Sequence, residues 1–520
     1  ESAALVASWF GVLSDVRGVH FPVNVDEIPT GNAVVFALRG SHLLAGLALS
    51  SARGPLVAMR ENPHDPYGKL LIITGTNPDD LLAAARALTT ATWIPHVDTV
   101  EAHPVPISPR QAYAAPRWLQ TDHPSAIGTY TTAERLKLQG TGSINLYFRL
   151  PPDLFLRAHQ SVPLLLKFQY GGAPAGTRPA VSVRLNGKDI DSMQLKPASG
   201  PVEESETFRL PTGSMLPYTN TLTVDFYFAS STPPADVRPS FAIDRASTID
   251  LSSLPHAVVL PRLELFADAG YPFTEWPDGS RTAAIMPVAP TPVDLETLLD
   301  MAGFFGGQTG ALATGLEITD AAGVNRVRGK DLVLIGTPQS QPLLSQWASA
   351  MPLDMSGPDM QVHQAPESTL LLRPEWPFRE RDGEHLISML NGDVSGIGLF
   401  VQSFVSPLHQ DRTVVAIVPH GDRAADAVRA LFTPSERQGP VYGGVAVSED
   451  GRFESFLTGT LAYHAGHFNE YQYATVLLFE HYRIVPLLVL FLSIFIAAWV
   501  RWSTEHVAAR RLATGVSSRG

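Results

Sequence analysis

The sequence predicts an α/β plus all-β chain closed by a transmembrane helix, and three patterns carry that prediction. Short Val- and Ile-rich runs alternate with amphipathic helices over residues 1–105 and again over 283–465, as in α/β modules. Between them, residues 106–282 hold short β-rich runs separated by Pro, Gly, Asn and Ser, the pattern of a β-sandwich. Near the end, Ile484 to Val500 is an uncharged apolar run of 17 residues. As a helix rising ~1.5 Å per residue it covers roughly 26 Å, close to one hydrocarbon core.

The chain opens on Glu1, and Leu5, Val6, Trp9, Phe10, Leu13 and Val16 already form a helical stripe, so it reads as a fragment or processed form of something longer. "NAVVFAL" (Asn32 to Leu38) and "KLLIITG" (Lys69 to Gly75) read as strands of a parallel sheet. In the helix that follows, Asn77 can cap, Pro78 takes the first helical position, and Asp79 and Asp80 fill the first turn. The series recurs as "VDLETLLDMAGFF" (Val293 to Phe305), "KDLVLIGT" (Lys330 to Thr337) and "TVVAIVPHGDRAADAVRALF" (Thr413 to Phe432). Matching strands move apart from about 36 to about 81 residues, which places an insertion near Gln339 to Gln410. Duplication and chance likeness of amphipathic helices both fit this pattern.

In the middle module, Asn186-Gly187 between Val181–Leu185 and Asp189–Leu195 is the strongest hairpin signal. Residues 466–483 place Phe468, Tyr471, Val476, Leu477, Phe479 and Tyr482 near one face, an amphipathic helix suited to a lipid interface. The span follows at 484–502, with Tyr471, Tyr473 and Tyr482 before it and Trp499 and Trp502 at its far end as aromatic belts. Arg501, Arg510, Arg511 and Arg519 follow the run while Arg483 alone precedes it closely, so residues 503–520 are expected as a cytoplasmic tail and the bulk outside.

Composition narrows the function classes. A net charge of −12 with no Lys/Arg block outside the tail argues against nucleic acid, and the absence of Cys excludes disulfides and thiolate metal sites. With 17% charged and 45% hydrophobic residues, and 41 Gly and 43 Pro, the bulk is expected to be folded and turn-rich rather than disordered. The turn Thr74-Gly75-Thr76-Asn77 could cradle a phosphate, but Asp79 and Asp80 put negative charge where the anion would sit, so no flavin or nucleotide cofactor is expected. His464, His467 and Glu470 stand at helical spacing, either as metal ligands or as polar residues at a membrane surface; the zinc-protease order is missing and no metal is expected. No Gly-x-Ser-x-Gly elbow occurs, Ser395 lacks that frame, and no catalytic residue is assigned. Paired carboxylates for glycoside cleavage stay open, because their spacing is spatial. Trp118, Tyr130, Tyr170, Tyr218 and Trp276 lie beside loop residues and are the carbohydrate-binding candidates: exposed rings stack on sugar faces, while core packing is the competing use of each.

The module order, together with "LYFRLPPDLF" (Leu146 to Phe155), "VRLNG" (Val183 to Gly187) and the terminal "YQYATVLLFEHYRIVPLLVLF", resembles the periplasmic B subunit of bacterial cellulose synthase. The resemblance implies two flavodoxin-like α/β domains, without a flavin role, flanking a carbohydrate-binding-like β-sandwich, then an amphipathic helix and one C-terminal transmembrane helix. The family's signal peptide and first sandwich would lie upstream. It also implies a non-catalytic partner of the membrane-embedded cellulose synthase catalytic subunit that guides nascent cellulose across the periplasm, anchored in the lipid bilayer, with cyclic di-GMP acting on that catalytic partner. Leu477, Phe479 and Tyr482 would then face the catalytic subunit, and self-association stays open. The rival readings are a membrane-tethered periplasmic polysaccharide-modifying enzyme and an envelope scaffold that binds no glycan.

Overall fold

The computed structural model describes residues 1–49, 54–91, 97–103, 105–156, 160–173, 176–229, 239–357, 360–363, 380–392, 394–458, 461–466 and 485–516. The first unit contains helices α1 (Ser2–Ser14) and α2 (Pro78–Thr90) and strands β1 (Ala33–Leu38), β2 (Leu56–Asn62), β3 (Asp65–Gly75) and β4 (Thr99–Glu101). The sheet order is β1-β3-β2-β4. β1 runs parallel to β3, but β2 is antiparallel to both β3 and β4, so the sheet is mixed where the sequence pattern suggested a parallel one. The reason is local: only Pro63 and His64 separate β2 from β3, and so short a connection can only return the chain antiparallel. Exposed Met59 and the charged Arg60 and Glu61 hid β2 from a reading based on apolar runs. α2 starts as expected, with Asp80 N–H donating to Asn77 Oδ1 at 2.9 Å and Pro78 in the first turn. Asp80 also accepts from Thr76 N–H at 2.8 Å, filling the place an anion would take.

The middle unit is a sandwich. One sheet has β5 (Gly142–Arg149), β7 (Arg178–Leu185), β8 (Lys188–Gln194) and β10 (Thr219–Ala229) in the order β8-β7-β10-β5. The other is built on β6 (Ser161–Gly171), antiparallel to β9 (Val202–Pro211) and to the short strands Ser240–Ile243 and Thr248–Ile249. Alternate residues of the first sheet, among them Leu146, Phe148, Val183, Leu185, Leu222 and Phe226, meet Leu164, Leu166, Phe168 and Phe208 of the second in one core. Asn186 at φ 50° and Gly187 at φ 78° make the turn with both central residues left-handed, which matches strand twist and explains the hairpin signal.

The third unit carries a seven-stranded sheet ordered β12-β11-β13-β15-β14-β16-β17. Its strands are β11 (Thr282–Ile285), β12 (Glu317–Thr319), β13 (Asp331–Ile335), β14 (Ile397–Val405), β15 (Thr413–Pro419), β16 (Val445–Glu449) and β17 (Arg452–Phe456). Helices α3 (Pro292–Thr309) and α4 (Ala424–Phe432) pack with it. The order β13-β15-β14-β16 repeats β1-β3-β2-β4 with the same parallel and antiparallel senses, so the recurrence seen in sequence extends to topology. β14, the counterpart of β2, lies inside the stretch the sequence suggested as an insertion.

The first and third units meet along α1 and α3. A Cβ on Gly11 would stand 1.8 Å from Gly303 O, and one on Gly306 2.1 Å from Ser8 O, so the helices touch backbone to backbone. Residues 18–25 then strap across α3: Phe21 N–H donates to Asp300 Oδ1 at 2.8 Å, Val23 N–H to Glu296 Oε1 at 3.0 Å, and His20 Nδ1 lies 2.8 Å from Asp300 Oδ2. The final helix, α5, runs Val485–Val516, longer than the span expected from sequence. Pro486–Val507 has a mean hydropathy of 1.8 with none of it buried. Residues 467–484, with the interfacial-helix candidates Leu477, Phe479 and Tyr482, lie outside the described residues.

Two outcomes are expected. Gly306→Val should separate α1 from α3 and lower stability by about 1–3 kcal/mol, read as a reduced denaturant midpoint; an unchanged midpoint contradicts the tight crossing. His20 is raised above its ordinary value by its hydrogen bond to Asp300, with burial opposing. A histidine raised in the folded state stabilises fully below its unfolded value and loses that contribution as pH rises through the folded one. Exchange protection of the Phe21 amide should therefore fall as pH rises above the ordinary histidine range, and His20→Ala should abolish that pH dependence.

Candidate glycan-binding face

The five aromatics singled out from sequence do not form one surface. Trp118 is 0%, Tyr170 1% and Tyr218 9% exposed, which corrects their reading as sugar platforms. They are packing residues: Tyr170 donates to Lys196 O at 3.0 Å, and Tyr218 reaches out of the sandwich to donate to Gln308 O at 2.9 Å. Trp118 joins Tyr218, Ala115 and Ala269 in a small cluster between the sandwich and the third unit. Loops flanking a sandwich wedged between two other units face protein rather than water. Tyr130 is half-buried against the sandwich core and donates to Trp118 O at 3.0 Å. Trp276 is half-buried in the third unit, its ring 5.4 Å from the Arg281 guanidinium. His464 sits on the short strand Tyr463–Ala465 opposite Val259, so the helical spacing read for His464, His467 and Glu470 does not begin as a helix. Among the described residues no group of three or more His, Cys, Asp or Glu is placed to hold a metal.

One open surface of the sandwich is the outer side of the sheet β8-β7-β10-β5. Because apolar residues of each strand turn inward, their neighbours turn out: Ser143, Asn145 and Tyr147 on β5, Thr221, Thr223, Asp225 and Tyr227 on β10, and Ser182 and Arg184 on β7. Arg184 grips Asp225 with Nε at 2.6 Å from Oδ2 and Nη2 at 2.8 Å from Oδ1. Ser143 donates to Asp225 Oδ1 at 2.5 Å, and Thr223 to Asn145 Oδ1 at 2.8 Å. Burial pushes the Asp225 carboxyl up, and the hydrogen bonds from Arg184 and Ser143 outweigh it, holding the group below its ordinary value. Tyr147 at 63% and Tyr227 at 48% exposure stand at the ends of this polar field. Flat, hydrogen-bonded and bordered by two free rings, the face suits a ligand with many hydroxyls and an apolar ring face. Alternation could have found both tyrosines: Leu146 and Phe148 flank Tyr147 and mark the inward positions, as Phe226 and Phe228 do for Tyr227 in the run "DFYFAS".

Two arginines hold the sandwich to the other units. Arg149 donates to Gly307 O at 2.9 Å and to Asp15 Oδ1 at 2.9 Å; Arg117 donates to Gly307 O at 2.5 Å and to Val12 O at 2.6 Å. These acceptors lie at the C-terminal ends of α1 and α3, where carbonyls are unpaired and the helix dipole is negative. A cleft of about 510 Å³ remains beside them, bordered by Arg149, Tyr218, Phe304 and Phe432.

The structure thus defines a protein in which a sandwich with an open polar face is clamped between two related α/β units, with one exposed apolar helix at the end. Family models match in the same order: "Cellulose synthase BcsB, first FD domain" over 1–101, "second CBM domain" over 124–248 and "second FD domain" over 256–417. A protein of Escherichia coli (strain K12) named "Cyclic di-GMP-binding protein" is 28% identical across 98% of this chain and 68% of its own length. Proteins of the same name from Xanthomonas axonopodis pv. citri (strain 306) and Komagataeibacter xylinus are 30% and 27% identical, over 90% and 89% of this chain and 63% and 60% of theirs. The chain spans about two thirds of the length of these relatives. It belongs to the BcsB family, the accessory B subunit of cellulose synthase.

Replacing Arg149 by Met removes charge-assisted bonds to both α3 and Asp15. The expected loss is roughly 1.5–3 kcal/mol, read as a lower denaturant midpoint at unchanged slope; Lys, lacking the fork, should recover only part of it.

Proposed function

We propose that this chain is the non-catalytic, glucan-guiding part of a cellulose synthase accessory subunit, with its bulk in the periplasm, its C-terminal helix in the inner membrane and its C-terminus cytoplasmic. The observation that carries the reading is the open face bearing Tyr147 and Tyr227 around the Arg184–Asp225 pair. A non-catalytic guide needs repeated weak contacts with a polymer, and stacking rings beside a fixed polar ladder supply them. α5 fits the anchor by length and exposure. The module divisions near 105, 282 and 465, and a flavodoxin-like origin of both α/β units, belong to the same proposal. So do a contact of Leu477, Phe479 and Tyr482 with the catalytic subunit, and self-association. Cyclic di-GMP, named in the relatives' descriptions, is assigned here to the catalytic partner: on the described face Arg184 is committed to Asp225.

The test is calorimetric titration of the detergent-solubilised full chain with cellohexaose, using maltohexaose as control. The expected result is selective binding of the β-linked chain, weakened in the Tyr147→Ala, Tyr227→Ala double variant by about 1 kcal/mol per ring with unchanged thermal unfolding. Absence of binding by the unmodified protein overturns the glucan reading of this face.

A further inference from the structure

Tyr147 stands on β5 opposite Thr221 of β10, and Tyr227 lies six residues further along β10 on the same side of the pleat. At ~3.3–3.4 Å per residue the two rings are therefore about 20 Å apart along the strands and only about one strand spacing, ~4.8 Å, apart across them. The side chains between them are short or lie flat: Thr221, Thr223 and Asp225 on β10, with Asn145 and Ser143 opposite on β5. Thr223 and Asp225 are only 8% and 2% exposed although they are on the outer side, so they form a floor below the level of the rings. Asn145 accepts from Thr223 and keeps its amide NH₂ as a donor, and Ser143 and Arg184 hold the Asp225 carboxylate in place.

We infer that one linear β-glucan chain lies along β10, parallel to the strands, and is held at two points, on Tyr147 and on Tyr227. A chain laid across the strands would meet one ring and leave the other unused. The inference rests on the glucan reading of this face and adds to it an axis and a minimum length. Two contacts joined by one ligand behave bivalently: once the first ring is engaged, the second engages as an intramolecular step at high effective concentration, but only if the ligand spans the gap. Affinity should therefore rise in a step as the oligosaccharide becomes long enough to bridge, rather than by equal increments for each added sugar. The axis also suits a polymer moving lengthwise, since a sugar leaving one ring advances toward the other along a floor whose one long side chain, Arg184, is pinned down to Asp225.

The experiment is titration of the full chain, in detergent, with cellobiose, cellotriose, cellotetraose, cellopentaose and cellohexaose. The expected result is weak binding of cellotriose and shorter chains, then a rise of at least about ten-fold before cellohexaose. Tyr147→Ala and Tyr227→Ala should each erase the step while leaving weak binding at the remaining ring. Both rings are exposed, so the variants should unfold at the temperature of the parent, and a scan confirms it. A smooth increase with length, or a step that survives either single substitution, overturns the two-point arrangement while leaving glucan binding itself standing. Failure of every oligosaccharide to bind overturns both.

Discussion

Two guanidinium groups decide how this molecule is assembled. α1 and α3 cross at contact distance because Gly11, Gly303 and Gly306 carry no side chain, and this closeness brings their C-terminal ends together. Each end presents unpaired carbonyls at the negative pole of its helix, and Asp15 adds a full negative charge beside them. Left alone, the arrangement would be repulsive and poorly hydrated. Arg117 and Arg149, both from the sandwich side of the chain, answer it with bonds to Val12 O, Gly307 O and Asp15. Burial draws the Arg117 guanidinium below its ordinary value and Asp15 opposes the shift, so the ion pair and the desolvation cost meet in the same group.

The clamp and the face share their strands. Arg149 ends β5 and Tyr147 stands two residues before it, while Tyr218 immediately precedes β10, which carries Tyr227 near its far end. The Arg149 guanidinium lies 5.7 Å from the Tyr218 ring, and Tyr218 in turn bonds Gln308 of α3. The strands that lock the sandwich to α3 at one end therefore present the two exposed rings along their length. Orientation of the face relative to both α/β units follows from the junction and needs no contact of its own.

How much of this was legible in the sequence depends on the kind of signal. Local rules held where the backbone itself asks for a residue type: Asn77 caps α2, and Asn186-Gly187 turns β7 into β8. The apolar run near the end and the recurrence of helix and strand patterns were also readable, since both are periodic over many residues. β2 and β14 escaped for opposite reasons. β2 exposes Met59 beside two charged residues, whereas β14 is buried throughout but lies in a stretch whose length suggested an insertion. The aromatics were the harder problem. Trp118 and Tyr218 border turns, a place that usually means solvent, but here the turns meet another folded unit, and Tyr170 near the end of β6 packs into the sandwich core itself. Tyr147 and Tyr227 lie within strands, where a ring is usually core, and only the parity of their neighbours shows that they point out.

The last described strand before the terminal helix is fastened to the third unit. The short strand Tyr463–Ala465, the last described before α5, pairs with Val258–Leu260, and the Tyr463 hydroxyl lies 2.9 Å from Thr413 Oγ1 at the start of β15. Next to it, Asp331 at the start of β13 accepts from Thr413 N–H at 2.8 Å and pairs with Arg412 at 3.2 Å. Burial pushes the Asp331 carboxyl up to about 6, and Arg412 limits the rise. Unpairing this strand would break the Tyr463–Thr413 bond beside the buried Asp331 carboxylate, so residues 463–465 are held to the seven-stranded sheet at its Thr413 end. From that sheet the packing continues to α3, and through the arginine junction to the strands that carry the face. The same bonds that fix the sandwich between its neighbours therefore fix the direction of its outer strands against the body from which residues 463–466 leave.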